Sequence, residues 1–265
     1  MPKAPNAIQT VTPDGLVREI NQRADSLKSL YATVEISAST LNAKEGIEKD
    51  YTRFPGIIMM REPQMLRVYG RVPVIGTRMF DMVSDGKNFT LYIPSRSLAY
   101  KGPNELTKKS SNSIENMRPG FFFDAMVLRG LEPDDYYSVT ADTETIEDTA
   151  KKHLYTVPEY VLSITRHNPG SRNDTPVRVV TFHREDLLPY QQDLYDDKGN
   201  LETQVFYANY VDFGNNKYPG RVTIKRPLEG VQLVLTVEKV VQNMPLTDDQ
   251  FQIKIAEGAK IQQLE

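Results

Sequence analysis

The stretch TPDGLVREINQRADSLKSLYATVEISAS, residues 12–39, passes from an amphipathic helix into an alternating β-strand. Thr12 suits the N-cap, Pro13 the first helical position and Asp14 the positive end of the helix dipole. One face of this helix is apolar at spacings of three and four residues, with Leu16, Val17, Ile20, Ala24, Leu27, Leu30 and Tyr31. Residues 33–39 then alternate between apolar and polar side chains, as in a half-buried strand. The order predicts one helix that lies on the sheet that follows it.

The remainder of the chain consists mainly of short alternating segments separated by turn signals. Asp85-Gly86 predicts a hairpin, and the run from Asp197 to Asn200 predicts a tight turn. The last of these predicted strands is Phe251–Ile255. We count about 10–11 antiparallel strands, which is too many for a flat open sheet. The predicted fold is therefore mainly β with few helices, an incomplete, half-open antiparallel β-barrel.

Residues 104–130 interrupt the strand pattern. A polar stretch leads to Arg118-Pro119-Gly120, and the apolar run FFFDAMVL follows at 121–128. We predict a short lid helix here, with Gly130 at its C-terminal cap, covering the open end of the sheet. The predicted organisation is a polar tether at 1–11 and one barrel domain at 12–265, with 104–130 as a lid insertion.

Composition excludes several function classes. The 32 basic and 35 acidic residues leave a net charge of −3, without the basic surface that nucleic-acid binding requires. The absence of cysteine excludes disulfides, thiolate metal sites and thiol catalysis. The three histidines fall on predicted strands or at their ends without a paired-His spacing, and neither a phosphate-binding Gly-rich loop nor a nucleophile elbow occurs. We therefore expect no catalytic site, no metal and no cofactor. No apolar run approaches the roughly 20 residues of a membrane span.

The apolar interior of the predicted barrel admits two interpretations. Small barrels are usually filled by their own side chains. The alternative is a cavity for an apolar ligand. Five of the nine methionines fall in the first meander and would suit an adaptable lining: Met59, Met60, Met65, Met79 and Met82.

Three stretches resemble the bacterial lipoprotein localisation proteins LolA and LolB. The first is the helix-to-strand segment LVREINQRADSLKSLYATVEIS at 16–37. The second is VPVIGTRMFDMVSDGKNFTLYIPSRSLAYKG at 72–102, similar to the central meander of the family. The third is LYDDKGNLETQVFYANYVDFGNNKYPGRVTIKRP at 194–227, similar to its late hairpin. The likeness is one of pattern, since none of the three is a catalytic signature.

The resemblance implies a barrel whose apolar cavity holds lipoprotein acyl chains and whose mouth is plugged by helices. Each buried methylene is worth ~0.8 kcal/mol, so a long chain would gain on the order of 10 kcal/mol before ordering costs. The implied cavity and lid residues are Leu16, Ile20, Leu27, Val34, Ile36, Leu66, Val68, Phe89, Leu91, Phe122, Phe123, Met126, Val205, Leu233 and Leu235.

Closer similarity to the outer-membrane receptor branch implies an apolar loop that touches the membrane. Val74 and Ile75 occupy that position, although a hairpin with Ile75 tucked into the core remains the alternative. The implied location is the periplasmic side of the cell envelope, as an outer-membrane lipoprotein whose export signal is absent from this sequence. The implied partners are lipid acyl chains or lipoproteins. A structural or interaction module of the envelope with a filled core is the alternative function.

Overall fold

The computed structural model describes residues 8–40, 49–50, 53–104, 118–148, 153–170, 172–214 and 216–264. Within these residues the helices are α1 (Pro13–Ser26) and α2 (Gly120–Met126). The strands are β1 (Ser29–Thr40), β2 (Lys49–Asp50), β3 (Phe54–Arg61), β4 (Met65–Arg71), β5 (Arg78–Ser84), β6 (Asn88–Ile93), β7 (Leu98–Pro103), β8 (Asp135–Asp148), β9 (His153–Arg166), β10 (Thr175–His183), β11 (Pro189–Tyr195), β12 (Leu201–Phe213), β13 (Asn216–Arg226), β14 (Val231–Gln242) and β15 (Lys260–Gln263).

All fifteen strands belong to one sheet with the order β15-β7-β6-β5-β4-β3-β1-β14-β13-β12-β11-β10-β9-β8, and β2 pairs with β1 beside this path. Pairing is antiparallel except between β15 and β7, which run parallel. Among the strands of the described residues, β15 and β8 are free edges, and these strands do not close into a barrel. The predicted fold class, a mainly β, half-open antiparallel barrel with few helices, is confirmed.

The number of strands is larger than the 10–11 predicted. A 3-10 turn at Pro94–Arg96 divides one predicted stretch into β6 and β7. The predicted strand Phe251–Ile255 is wrong, because Phe251 ends a 3-10 turn whose first residue is Asp248. Its apolar side chain packs on the outer face of the sheet instead of alternating within it. The last strand is β15, farther along the chain.

Helix α1 begins as its sequence predicts and ends earlier. The Thr12 hydroxyl accepts a hydrogen bond from the Gly15 N–H at 3.1 Å, and Pro13 occupies the first turn. The helix ends at Ser26, because Leu30 and Tyr31 pair with β3 and β14 as part of β1. Strand pairing of the backbone therefore overrides the helical spacing of these two side chains.

Helix α2 lies within the predicted lid segment. Its apolar side chains are buried: Phe121, Phe122, Ala125 and Met126. The predicted cap at Gly130 is wrong, because Val127 ends the helix in an extended conformation. The chain then continues to Gly130 without helical bonds. Residues 105–117 of the predicted lid insertion and residues 1–7 of the predicted tether lie outside the described residues.

Three apolar clusters stabilise the sheet. The central core joins α2 to the inner faces of β1, β3–β7 and β12–β14. The helix core joins α1 to β9 and β10. The outer cluster covers the other face of β3 with the segment after β14, through Ile57, Met59, Leu246 and Phe251. In the part of the chain that the structure describes, no helix has the length and hydropathy needed to cross a membrane.

Candidate functional site

The structure separates the predicted cavity residues into two groups. Most of them are buried together in the central core: Val34, Ile36, Leu66, Val68, Phe89, Leu91, Phe122, Met126, Val205, Leu233 and Leu235. Leu27 and Phe123 are partly buried and pack against this core. Leu16 and Ile20 instead belong to the helix core, against β9 and β10. Helix α1 therefore covers a different part of the sheet from α2.

The central core is packed in this conformation. Val34, Val68 and Leu235 have no exposed surface, because protein atoms cover them on all sides. The cover over the sheet includes the rings of Phe121 and Phe122, which lie 4.2 Å apart between centroids. An acyl chain can reach these strands only when α2 moves away from them.

A cavity of about 660 Å³ lies beside the end of α2, and we call it the mouth cavity. This volume is typical of small-molecule sites. Its apolar and aromatic lining comprises Leu27, Met126, Val127, Leu128, Leu188, Pro189, Tyr207, Tyr210, Tyr218 and Pro219. Charged residues also border it, among them Arg23, Glu185 and Lys217. Of the predicted ligand residues, only Leu27 and Met126 line this cavity.

Sequence reasoning missed the tyrosines of the mouth cavity, although a signal exists for Tyr207. Tyr207 follows buried Val205 at the inward-facing positions of β12. Tyr218 is buried between exposed Lys217 and buried Pro219, so no simple alternation marks it. Burial raises the pKa of both phenols above the ordinary value. These hydroxyls therefore stay protonated at neutral pH and can donate hydrogen bonds.

Three inward side chains hold the α2 segment by its backbone, and we call them the clasp: Arg178, Gln192 and Tyr218. They come from β10, β11 and β13, and all accepting atoms are main-chain carbonyl oxygens. The bonds are Tyr218 Oη to Met126 O (2.7 Å), Gln192 Nε2 to Asp124 O (2.9 Å), Arg178 Nη1 to Arg129 O (2.8 Å) and Arg178 Nη2 to Gly130 O (3.2 Å). Since each bond satisfies a carbonyl near a helix C-terminus, the clasp replaces the missing glycine cap.

The two charges around the clasp differ in exposure, since Arg178 is buried and the Asp124 side chain is 29% exposed. Burial lowers the pKa of the Arg178 guanidinium, and nearby Asp124 partly opposes this shift. Burial also raises the pKa of the Asp124 carboxyl, although Arg129 lies 2.6 Å away as its ion-pair partner. Both shifts have the direction expected from burial, which favours the neutral form of each group.

The turn between β4 and β5 is the most exposed apolar feature. Val74 is 107% exposed and Ile75 is 73% exposed, and Val74 adopts a positive φ of 69°. The turn is fixed by hydrogen bonds from Ile75 N to Pro73 O and from Gly76 N to Val72 O. The alternative with Ile75 tucked into the core is therefore wrong. The two side chains project into solvent at one end of the sheet.

Two solved structures of low sequence identity share this fold over most of their length. A LolA superfamily protein from Nitrosomonas europaea matches over 92% of this chain and 99% of its own, with a TM-score of 0.54 and 17% identity. A DUF1329 family protein from Desulfovibrio piger matches over 89% and 94%, with a TM-score of 0.56 and 15% identity. No protein-family model matches the sequence, and no curated protein shows significant similarity to it. The expected likeness to LolA-type proteins is thus confirmed at the level of the fold.

Proposed function

We propose that this protein binds the acyl chains of lipoproteins, or of another lipid, and does so without enzymatic activity. It would serve lipoprotein sorting or delivery at the outer membrane, on the periplasmic side of the bacterial envelope. The LolA-like fold supports the class of function and the location. The observation that carries the proposal is the short helix α2, which covers an apolar half-barrel and is held there through backbone carbonyls.

The clasp explains how such a protein can be stable without a ligand. In the closed form, the side chains of α2 pack in one apolar core with the inner face of the sheet. A bound acyl chain would take the place of these side chains. The apolar surface of the sheet would therefore stay covered when α2 moves away. The clasp bonds are among the contacts that oppose opening. Those from Gln192 and Tyr218 contribute about 0.5–1.5 kcal/mol each, and the two from the charged Arg178 about 1.5–3 kcal/mol each. Burying one acyl chain supplies on the order of 10 kcal/mol, which is enough to offset them.

The direct test is to identify what the protein carries. We expect lipid extraction and native mass spectrometry of the protein, purified after export to a periplasm, to show bound acyl chains in stoichiometric amounts. Protein refolded from denaturant without lipid provides the empty reference. Exported protein with the same mass as this reference would contradict acyl-chain carriage.

Removing one clasp bond should make the cavity easier to open. In Tyr218→Phe the carbonyl of Met126 loses its donor, which removes a 2.7 Å hydrogen bond while keeping the ring. We expect amide exchange in residues 121–127 and the uptake rate of a fluorescent fatty acid to rise about fivefold, equivalent to roughly 1 kcal/mol. Tyr136→Phe, at an exposed position on β8, is the matched control. Faster uptake in the control, or equal uptake in both variants, would disprove the role of the clasp.

A second candidate function is a structural or interaction module of the envelope. The complete burial of Val34, Val68 and Leu235 favours it, because a filled interior needs no ligand. This candidate predicts that the extraction experiment releases no bound lipid from the protein. It also predicts that Tyr218→Phe lowers stability without changing fatty-acid uptake.

A further inference from the structure

A second and larger cavity, of about 1100 Å³, lies on the other side of α2, and we call it the polar cavity. Its lining reaches the start of β8, the end of β9, the end of β11, the start of β12 and the end of β13. In the antiparallel order these strand ends share one end of the sheet with the β4–β5 turn. The mouth cavity instead borders the start of β11 and the end of β14, at the opposite end. The two cavities are therefore separate sites.

The floor of the polar cavity contains a buried cation that no carboxylate neutralises directly. Arg178 is buried, and its hydrogen bonds run to the carbonyls of Arg129 and Gly130. No carboxylate of the described residues lies within ion-pair distance of it, whereas buried Arg226 pairs with Glu202 at 3.2 Å. Asp124 favours the charged form of Arg178 without contacting it, and a buried charge that lacks a direct partner is costly. Arg178 has N–H groups left over with which to bind an anion.

A buried acceptor lies in the same cavity. Gln192 lines it and is 1% exposed. Its Nε2 is used by the clasp, whereas its Oε1 has no hydrogen-bond partner in the structure. Buried side-chain polar atoms are nearly always paired in folded proteins. This oxygen points to a ligand that donates an N–H or O–H group.

The rim of the cavity is acidic. Glu132, Asp134 and Asp197 are exposed there, beside half-buried Asp196. Among the lining residues carboxylates outnumber the arginines, with Asp124, Glu132, Asp134, Asp135, Asp196, Asp197 and Glu202 against Arg118, Arg129, Arg166, Arg178 and Arg226. A simple anion would be repelled at the rim, and a simple cation would meet Arg178 at the floor. The charge distribution fits a zwitterion.

We propose that the polar cavity binds a phosphoethanolamine group. Its phosphate would accept hydrogen bonds from Arg178, since guanidinium groups match phosphate geometry. Its primary ammonium would donate to Gln192 Oε1, and the acidic rim would add a longer-range attraction for this positive charge. A trimethylammonium group has no N–H to donate, so phosphocholine satisfies only half of the site. The site does not depend on acyl-chain binding in the central core.

Calorimetric titration of the full chain with O-phosphoethanolamine, phosphocholine and inorganic phosphate tests the proposal. We expect O-phosphoethanolamine to bind about tenfold more tightly than either of the others, because only it makes both contacts. Arg178→Gln should lower its affinity about tenfold or more. Equal binding of the three compounds, or no detectable binding of any, would overturn the proposal.

Arg178 also belongs to the clasp, so its replacement can disturb α2 as well as the polar cavity. Variants of the rim test the polar cavity without changing the clasp. The double variant Asp134→Asn, Asp197→Asn changes only exposed carboxylates. It should weaken O-phosphoethanolamine binding about fivefold and leave or improve inorganic phosphate binding. Asp212→Asn, on the exposed part of β12, is the matched control and should change neither. Unchanged affinity of the double variant for O-phosphoethanolamine would contradict the ammonium contact.

The same group occurs in a membrane lipid and in soluble metabolites. Flotation with vesicles that contain phosphatidylethanolamine, compared with phosphatidylcholine vesicles of equal anionic content, separates these sources. A preference for phosphatidylethanolamine that the rim variants remove identifies a lipid headgroup. Binding of free O-phosphoethanolamine without such a preference identifies a soluble ligand. If no acyl chains co-purify with the protein, the proposed function fails, but both of these results on the polar cavity keep their meaning.

Discussion

Replacing Asp81 by asparagine is expected to lower the free energy of unfolding by about 3–5 kcal/mol, the usual cost of breaking a buried ion pair on one side. Asp81 on β5 is 1% exposed and accepts hydrogen bonds from Arg67 Nε at 3.0 Å and Nη2 at 2.7 Å. A further bond comes from Arg78. Without the carboxylate, the Arg67 guanidinium stays buried with an unbalanced charge. Urea denaturation followed by tyrosine fluorescence and circular dichroism measures the change.

The reason for so large an effect is that Arg67 joins three parts of the molecule. Its Nη1 donates to the carbonyl of Gln250 at 2.8 Å, which holds the segment after β14 on the outer face of the sheet. The matched control is Asp248→Asn on the same segment. Asp248 pairs with Arg61 at 2.5 Å but is 82% exposed, so its loss should cost less than about 1 kcal/mol. Similar losses in both variants would show that burial of the Arg67–Asp81 pair is not what matters.

The double variant Val74→Glu, Ile75→Glu is expected to lower binding to liposomes about a hundredfold. The receptor-branch resemblance assigns these two residues to a membrane-touching tip. Burying a Val or Ile side chain is worth about 1.5–3 kcal/mol each, so two of them account for this loss and the added charges increase it. Because both side chains are largely exposed, the substitution should leave the free energy of unfolding unchanged within about 0.5 kcal/mol. Liposome flotation at fixed salt measures the binding.

Val211→Glu provides the comparison for the tip. Val211 on β12 is also exposed but lies at the opposite end of the sheet, where it pairs with Tyr218. It should bind liposomes as the unaltered protein does. If Val211→Glu weakens binding as strongly as the double variant, the contact with lipid is nonspecific. If the double variant binds normally, the membrane tip does not exist.

Much of the fold was readable from the sequence because the signals are local. Thr12-Pro13-Asp14 starts a helix, Asp85-Gly86 turns a hairpin, and the alternation in 33–39 marks a half-buried strand. The errors arise where tertiary contacts compete with local pattern. Leu30 and Tyr31 keep a helical spacing but pair as strand, and Phe251 looks like part of a strand but covers one. Gly130 has the sequence position of a helix cap. The clasp that takes this role is assembled from distant strands, so the local sequence does not reveal it.

The site was harder to predict than the fold. The inward direction of Val34 or Leu235 follows from alternation, so the core residues were readable. Whether these residues surround a cavity depends on how closely α2 packs against the sheet. That distance is set by the volumes of the side chains in contact, which the alternation of apolar and polar residues does not reveal. Arg178 and Gln192 resembled ordinary strand residues in the sequence. Their importance follows only from the carbonyl groups that the fold brings to them.

The pairing of β1 with β14 has a consequence for how the protein reaches its native state. Neighbours elsewhere in the order are mostly joined by short connections, but β1 must wait for a partner about two hundred residues further along the chain, with Leu30 opposite Gln242. Loop-closure entropy makes such a contact late and slow. Until β14 has emerged, two meanders exist side by side with an unpaired strand each, and an unpaired edge invites association with other chains. The chain is therefore most prone to associate with other chains in the interval between the synthesis of β1 and the synthesis of β14.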